Sequence, residues 1–145
     1  SPAINLGASI LIPDAYVPDL SVRLSLYRRI AALEHINEHD ELVAELVDRF
    51  GTLPQEVQNL IDTILIKIRC RLAQIETLDA EPKGMSVTFR NNRFANPEAL
   101  IGLINKKSGI MQVTGDQKVV VRQTLPQSKR VHAARKLVDE IVALL

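Results

Sequence analysis

The chain has 145 residues, 46% hydrophobic and 24% charged, with a formal net charge of +1; this fits one domain over residues 1–145 with a sizeable core, and excludes the basic excess of a general nucleic-acid binder. Its lone cysteine, Cys70, excludes an intrachain disulfide, and no apolar run reaches the roughly 18 residues of a membrane span. With no basic-then-apolar leader, the expectation is a cytoplasmic protein without a membrane partner, and the start at Ser1 suggests a piece of a longer protein.

Taken in order, Ile4 to Pro13 contains the run Ala8-Ser9-Ile10-Leu11-Ile12, rich in β-branched residues, which predicts a short strand. After the turn-forming stretch Asp14 to Asp19, Asp19 is placed to cap a helix from about Leu20 to Leu33. Its expected core face is Leu20, Leu24, Tyr27, Ile30 and Ala31, with Arg23 turned away. His35 to Asp40 reads as a polar break, with Asn37 as a candidate cap for a second helix from Glu41 to Phe50. At about 100° per residue, Leu42, Val43, Leu46, Val47 and Phe50 share one side of that helix, while Glu41, Glu45 and Asp48 fall opposite. Gly51 supplies a residue free to take positive φ at the helix end, and Pro54 opens a third helix predicted to run to Leu78.

Asp79 to Gly84 reads as a charged loop, and Met85 to Arg90 alternates as a strand with Met85, Val87 and Phe89 on one face. Asn91 to Ala95 is a polar loop; Asn96 then caps a short helix that starts at Pro97 and ends near Lys107. Ile110 to Thr114 and Lys118 to Gln123 are expected to pair as a hairpin around Gly115-Asp116. Pro126 opens a last helix to Leu145 with Val131, Ala134, Leu137, Val138, Ile141 and Leu144 inward. The predicted class is α+β: three helices after a short strand, packed with a small, mainly antiparallel sheet and a C-terminal helix.

Familiar catalytic signatures are missing or misplaced. Neither G-x-x-x-x-G-K-[ST] nor G-x-G-x-x-G occurs, so no phosphate cradle, nucleotide hydrolysis or cofactor is expected of this chain. Cys70 lies between Arg69 and Arg71, which could lower a thiol pKa, but no base shares a motif with it and it reads as structural. His35-Ile36-Asn37-Glu38-His39 matches the H-x-x-E-H order of one zinc-hydrolase class, yet that chemistry needs an unbroken helix and a break is predicted there, so no metal is expected. Lys129, Arg130, Arg135 and Lys136 beside His132 could touch phosphates and define an alternative role as a nucleic-acid-binding accessory module. Aromatics are only 3% of the chain, which leaves little for base stacking.

Several stretches form one ordered set: Ile10-Leu11-Ile12-Pro13-Asp14-Ala15-Tyr16-Val17-Pro18-Asp19, Arg23-Leu24-Ser25-Leu26-Tyr27-Arg28-Arg29-Ile30, Glu45-Leu46-Val47-Asp48-Arg49-Phe50-Gly51 and Leu53-Pro54. With a looser match at Asn96-Pro97 and Leu100-Ile101-Gly102-Leu103, they together resemble the C-terminal domain of the bacterial transcription-repair coupling factor. The resemblance implies a noncatalytic regulatory domain of an ATP-driven DNA translocase whose motor and polymerase-binding modules lie elsewhere. Such a parent would bind DNA, RNA polymerase and the excision-repair damage-recognition protein. The domain would pack on an N-terminal module that resembles a repair helicase subunit, masking the surface that recruits the damage-recognition protein. The family's acidic pair at that interface corresponds to Glu45 and Asp48, with Glu41 on the same stripe. As neighbours at i and i+3, two carboxylates repel by a few tenths of a kcal/mol, a cost that a facing arginine would remove.

Overall fold

The structure is a computed structural model that describes residues 1–145. It resolves the chain into two compact units, Ala8–Ile68 and a second made of Ser1–Gly7 with Arg69–Leu145.

The first unit is helical, with α1 (Leu20–Ala31), α2 (Ile36–Phe50) and most of α3 (Gln55–Leu72). Its core joins Ile12, Val17, Leu26, Ile30, Leu33, Leu42, Leu46, Val57 and Ile61. Asp19 caps α1 as expected, its carboxylate accepting the Val22 N–H at 2.9 Å. The buried face of α1 agrees with the predicted one at Ile30 and half-buried Tyr27 but differs elsewhere: Leu26 also points inward, while Ala31 is exposed and Leu20 and Leu24 are 59% and 46% exposed. Two apolar stripes at helical spacing compete on this short helix, and Arg23 lies on the side of the buried one. Far from being turned away, Arg23 donates to the Val17 carbonyl at 2.8 Å and pairs with Asp14 at 3.4 Å.

The strand expected at Ala8 to Ile12 does not form. Its backbone groups are met by side chains, with the Ile12 N–H donated to Tyr27 Oη at 2.7 Å and the Ser9 carbonyl accepting from Asn59 Nδ2 at 3.1 Å, while Ile10 and Leu11 stay exposed. Nor is His35 to Asp40 a break. Glu38 reaches back to accept the His35 N–H at 3.0 Å, so α2 starts at Ile36 with His35 rather than Asn37 at its cap. At the other end Gly51 holds φ +92°, the positive value anticipated for it. Pro54 sits just before α3, its carbonyl accepting from Val57 and Gln58.

The second unit is a five-stranded sheet with two helices. β1 (Ala3–Asn5), β2 (Ile75–Glu81), β3 (Gly84–Phe89), β4 (Met111–Val113) and β5 (Val119–Arg122) are ordered β1-β2-β3-β5-β4. Only the β1–β2 pair is parallel, so the sheet is mainly antiparallel as predicted. β2 is the main correction. The third helix was expected to continue to Leu78, but it ends at Leu72, which is 60% exposed. Gln74 takes φ +55°, and Ile75, Leu78 and Ala80 are buried from a strand instead. Ile75 fits a helical stripe and a strand equally well, and pairing with β3, Ile75 opposite Phe89, settles it. Most of the supposed loop Asp79 to Gly84 is therefore the hairpin itself, with a turn at Pro82-Lys83.

α4 (Pro97–Lys106) and α5 (Arg130–Val142) complete this unit. Asn96 caps α4 through the Ala99 N–H, and the β4–β5 hairpin forms where expected. Pro126 leads into a 3-10 turn, Gln127–Lys129, before α5, whose Val131, Ala134, Leu137, Val138 and Ile141 are all buried. Cys70 is fully buried, and loss of solvent pushes its thiol up to about 12, the direction opposite to activation by neighbouring arginines.

Candidate interaction surface on the second helix

The α2 face opposite the core carries the three predicted site residues. Leu42 and Leu46 are buried, which fixes the rotation of the helix and turns Glu41 and Asp48 outward. Val47, assigned to the inner face, is 45% exposed because it lies at the edge of the buried stripe. Glu41 borders a shallow concavity of about 340 Å³ together with Arg29, Leu33, Glu38 and Glu45.

Glu45 is not a free carboxylate. Arg29 on α1 grips it with both ends of its guanidinium, Nη1 to Oε2 at 2.6 Å and Nη2 to Oε1 at 2.9 Å. Arg49, one turn further along α2, adds Nη1 to Oε2 at 3.0 Å. The fork geometry of Arg29 suits a carboxylate, and Glu45–Arg49 is the favourable i,i+4 order on a helix. Hydrogen bonds from Arg29 and then Arg49 lower the Glu45 pKa to about 2. Arg49 also lies over the Phe50 ring, 4.8 Å from its centre.

The repulsion anticipated between Glu45 and Asp48 is thus answered inside the unit by Arg29 and Arg49. Asp48 and Glu41, one turn after and one turn before Glu45, make no ion pair. The stripe is a mixed surface, with a neutralised centre and a free carboxylate on each side. Sequence reading missed both arginines as site residues; Arg49 was legible from its spacing to Glu45, whereas Arg29 is brought in by the α1–α2 packing.

A tyrosine fixes the end of this surface. Tyr16 Oη lies 2.8 Å from the Gly51 carbonyl and 3.2 Å from that of Leu46, and its ring is 5.7 Å from Phe50. The H-x-x-E-H side chains serve the start of the helix: Glu38 completes the cap and His39 Nδ1 lies 2.9 Å from Asp40 Oδ1. No helix of the chain is long and apolar enough to cross a membrane.

These features define an α+β domain in which a helical unit presents a partly ion-paired, partly free acidic face. The chain belongs to the TRCF domain family, whose pattern matches residues 6–100. It is similar to the transcription-repair-coupling factor of Rickettsia conorii, 35% identical over 136 residues, covering 94% of this chain and 12% of that protein. It is likewise similar to the transcription-repair-coupling factor of Escherichia coli, 32% identical over 139 residues, covering 95% of this chain and 12% of the relative. The chain therefore spans about an eighth of the length of these relatives. Its fold matches a crystal structure of the C-terminal domain of transcription-repair coupling factor with a TM-score of 0.78, at 16% identity, over 99% of this chain and 92% of that one.

Proposed function

We propose that this chain is the regulatory C-terminal domain of a transcription-repair coupling factor, a DNA translocase acting on stalled RNA polymerase. It holds no catalytic role of its own. Through the outer face of α2 it covers the N-terminal repair-helicase-like module, masking the surface that recruits the excision-repair damage-recognition protein. The observation that carries this reading is the pair of unpaired carboxylates, Asp48 and Glu41, flanking a Glu45 already held by Arg29 and Arg49.

That arrangement asks for a patterned partner. Cations opposite Asp48 and Glu41 are attracted, whereas cations set against Arg29 or Arg49 are repelled, so register is selected by both signs. Each such surface pair contributes roughly 0–1 kcal/mol. Tethering within one chain raises the effective concentration toward about millimolar, so weak pairs suffice to keep the surface covered while allowing release.

The test is Asp48→Lys with Glu41→Lys in the full-length parent, which leaves the Arg29–Glu45–Arg49 cluster intact. Binding of the damage-recognition protein should rise, and affinity between this domain and the separate N-terminal module should fall by roughly threefold to tenfold. Unchanged recruitment in a pull-down, with the domain still folded, rejects the masking role.

A further inference from the structure

Along α5 in the sheet unit runs a groove of about 440 Å³. Buried Met85, Val121 and Leu137 reach its floor, and Lys129, His132 and Lys136 stand on its rim, all three exposed. The half-buried pair of Lys107 and Glu140, Nζ to Oε2 at 2.6 Å, closes one wall.

The sign of this rim is set by internal pairing. Both acids of α5 are engaged, Glu140 by Lys107 and Asp139 by Arg69 at 3.2 Å. Arg130 turns inward and donates from Nε to the Leu125 carbonyl at 3.0 Å. Lys129, Arg135 and Lys136 are left exposed and without an acidic partner. A helix of mixed composition thus presents cations alone along this edge. Lysine stems extend the apolar surface of the floor while their ammonium groups stay in water.

We propose that this groove docks an acidic peptide segment of a partner protein that carries an aliphatic anchor residue. Charge complementarity selects the acidic flanks, and the methionine, valine and leucine floor selects the anchor. The volume lies in the lower part of the range for ligand pockets, about 300–1,000 Å³, enough for one or two side chains. Single-stranded nucleic acid is the poorer match, because no Phe, Tyr or Trp lines the groove and a single imidazole, His132, is a small stacking platform for its bases. This site shares no residue with the α2 face and does not depend on the masking role.

Fluorescence anisotropy with three labelled probes and the whole 145-residue chain tests the proposal. The probes are a ten-residue peptide of aspartate and glutamate around two central leucines, an all-glutamate peptide of equal length, and a ten-nucleotide oligothymidylate. The leucine-containing peptide should bind saturably and about tenfold more tightly than the all-glutamate one, since burying a leucine side chain is worth at least that factor. Lys129→Glu with Lys136→Glu should weaken it by about tenfold or more, with the circular dichroism of the chain unchanged, because both residues are exposed. No saturable binding, equal binding of the two peptides, an unaffected double variant, or tighter binding of the oligothymidylate would each overturn the proposal.

Discussion

In the helical unit, side chains hold the irregular backbone: Tyr16 reaches the Leu46 and Gly51 carbonyls, Tyr27 receives the Ile12 N–H, and Arg23 and Asn59 bind the Val17 and Ser9 carbonyls. In the sheet unit the ladders run backbone to backbone, and side chains such as Gln127 and Arg130 add ties outside them, to the Gly7 and Leu125 carbonyls. β3 is paired on both sides, and beyond its hairpin the Gln123 and Leu125 N–H groups bind the Lys83 and Pro82 carbonyls. Losing one side-chain tie leaves the others standing, whereas a ladder built from close backbone approach has no slack for an added atom. The two units also differ in the charge they present. On α2 internal arginines neutralise the central acid and leave two carboxylates free, while on α5 internal pairing removes both acids and leaves lysines. A net charge of +1 conceals two faces of opposite sign.

The largest effect should come from the backbone-held unit. Gly84 has φ +154°, and a β-carbon there would lie 2.0 Å from the Val121 carbonyl oxygen across the β3–β5 ladder. Gly84→Ala should therefore destabilise by roughly 3 kcal/mol or more, through strain and forced separation of the strands. Urea unfolding checks this; a loss below about 1 kcal/mol would mean that the sheet yields as readily as the helical unit.

A middle-sized effect is expected for Tyr16→Phe, which keeps the ring against Phe50 but removes the hydroxyl from the Gly51 and Leu46 carbonyls. The cost should be about 1 kcal/mol, read as a lower thermal midpoint. It should be accompanied by faster hydrogen exchange near Gly51, because the remaining ties to Tyr27, Arg23 and Asn59 are untouched.

Much of this architecture was legible where local chemistry and burial agree. Asn96-Pro97 fixed the start of α4, the alternation Met85, Val87, Phe89 gave β3, and the stripe from Val131 to Ile141 gave the inner side of α5. Legibility failed where a distant partner decides. Ile75 became strand by pairing with Phe89, and Ala8 to Ile12 stayed irregular because Tyr27 and Asn59 satisfy its backbone. On the α2 face, which acids point outward followed from helical spacing. That Glu45 is occupied did not, since Arg29 sits sixteen positions away and reaches it only once α1 and α2 pack.

Glu45 provides the smallest and most specific effect. Its pKa is lowered from 4.5 to about 2 by hydrogen bonds from Arg29 and Arg49, so below pH 4.5 the unfolded chain takes up this proton first. The stabilisation is accordingly complete above about pH 4.5 and is lost as the pH falls through about 2. The cluster is about one-third to one-half exposed and screened by solvent, which limits its worth to about 1 kcal/mol. Glu45→Gln should cost that much at pH 7, less at high salt, and only a small part of it at pH 2, where Glu45 in the folded chain is about half protonated. Urea unfolding of the two proteins across this range is the measurement. Parallel stability curves would mean that Arg29 and Arg49 do not hold the carboxylate in solution. Glu45 would then join Asp48 and Glu41 as a free acid, and the contrast between a neutralised centre and free flanks on α2 would be lost.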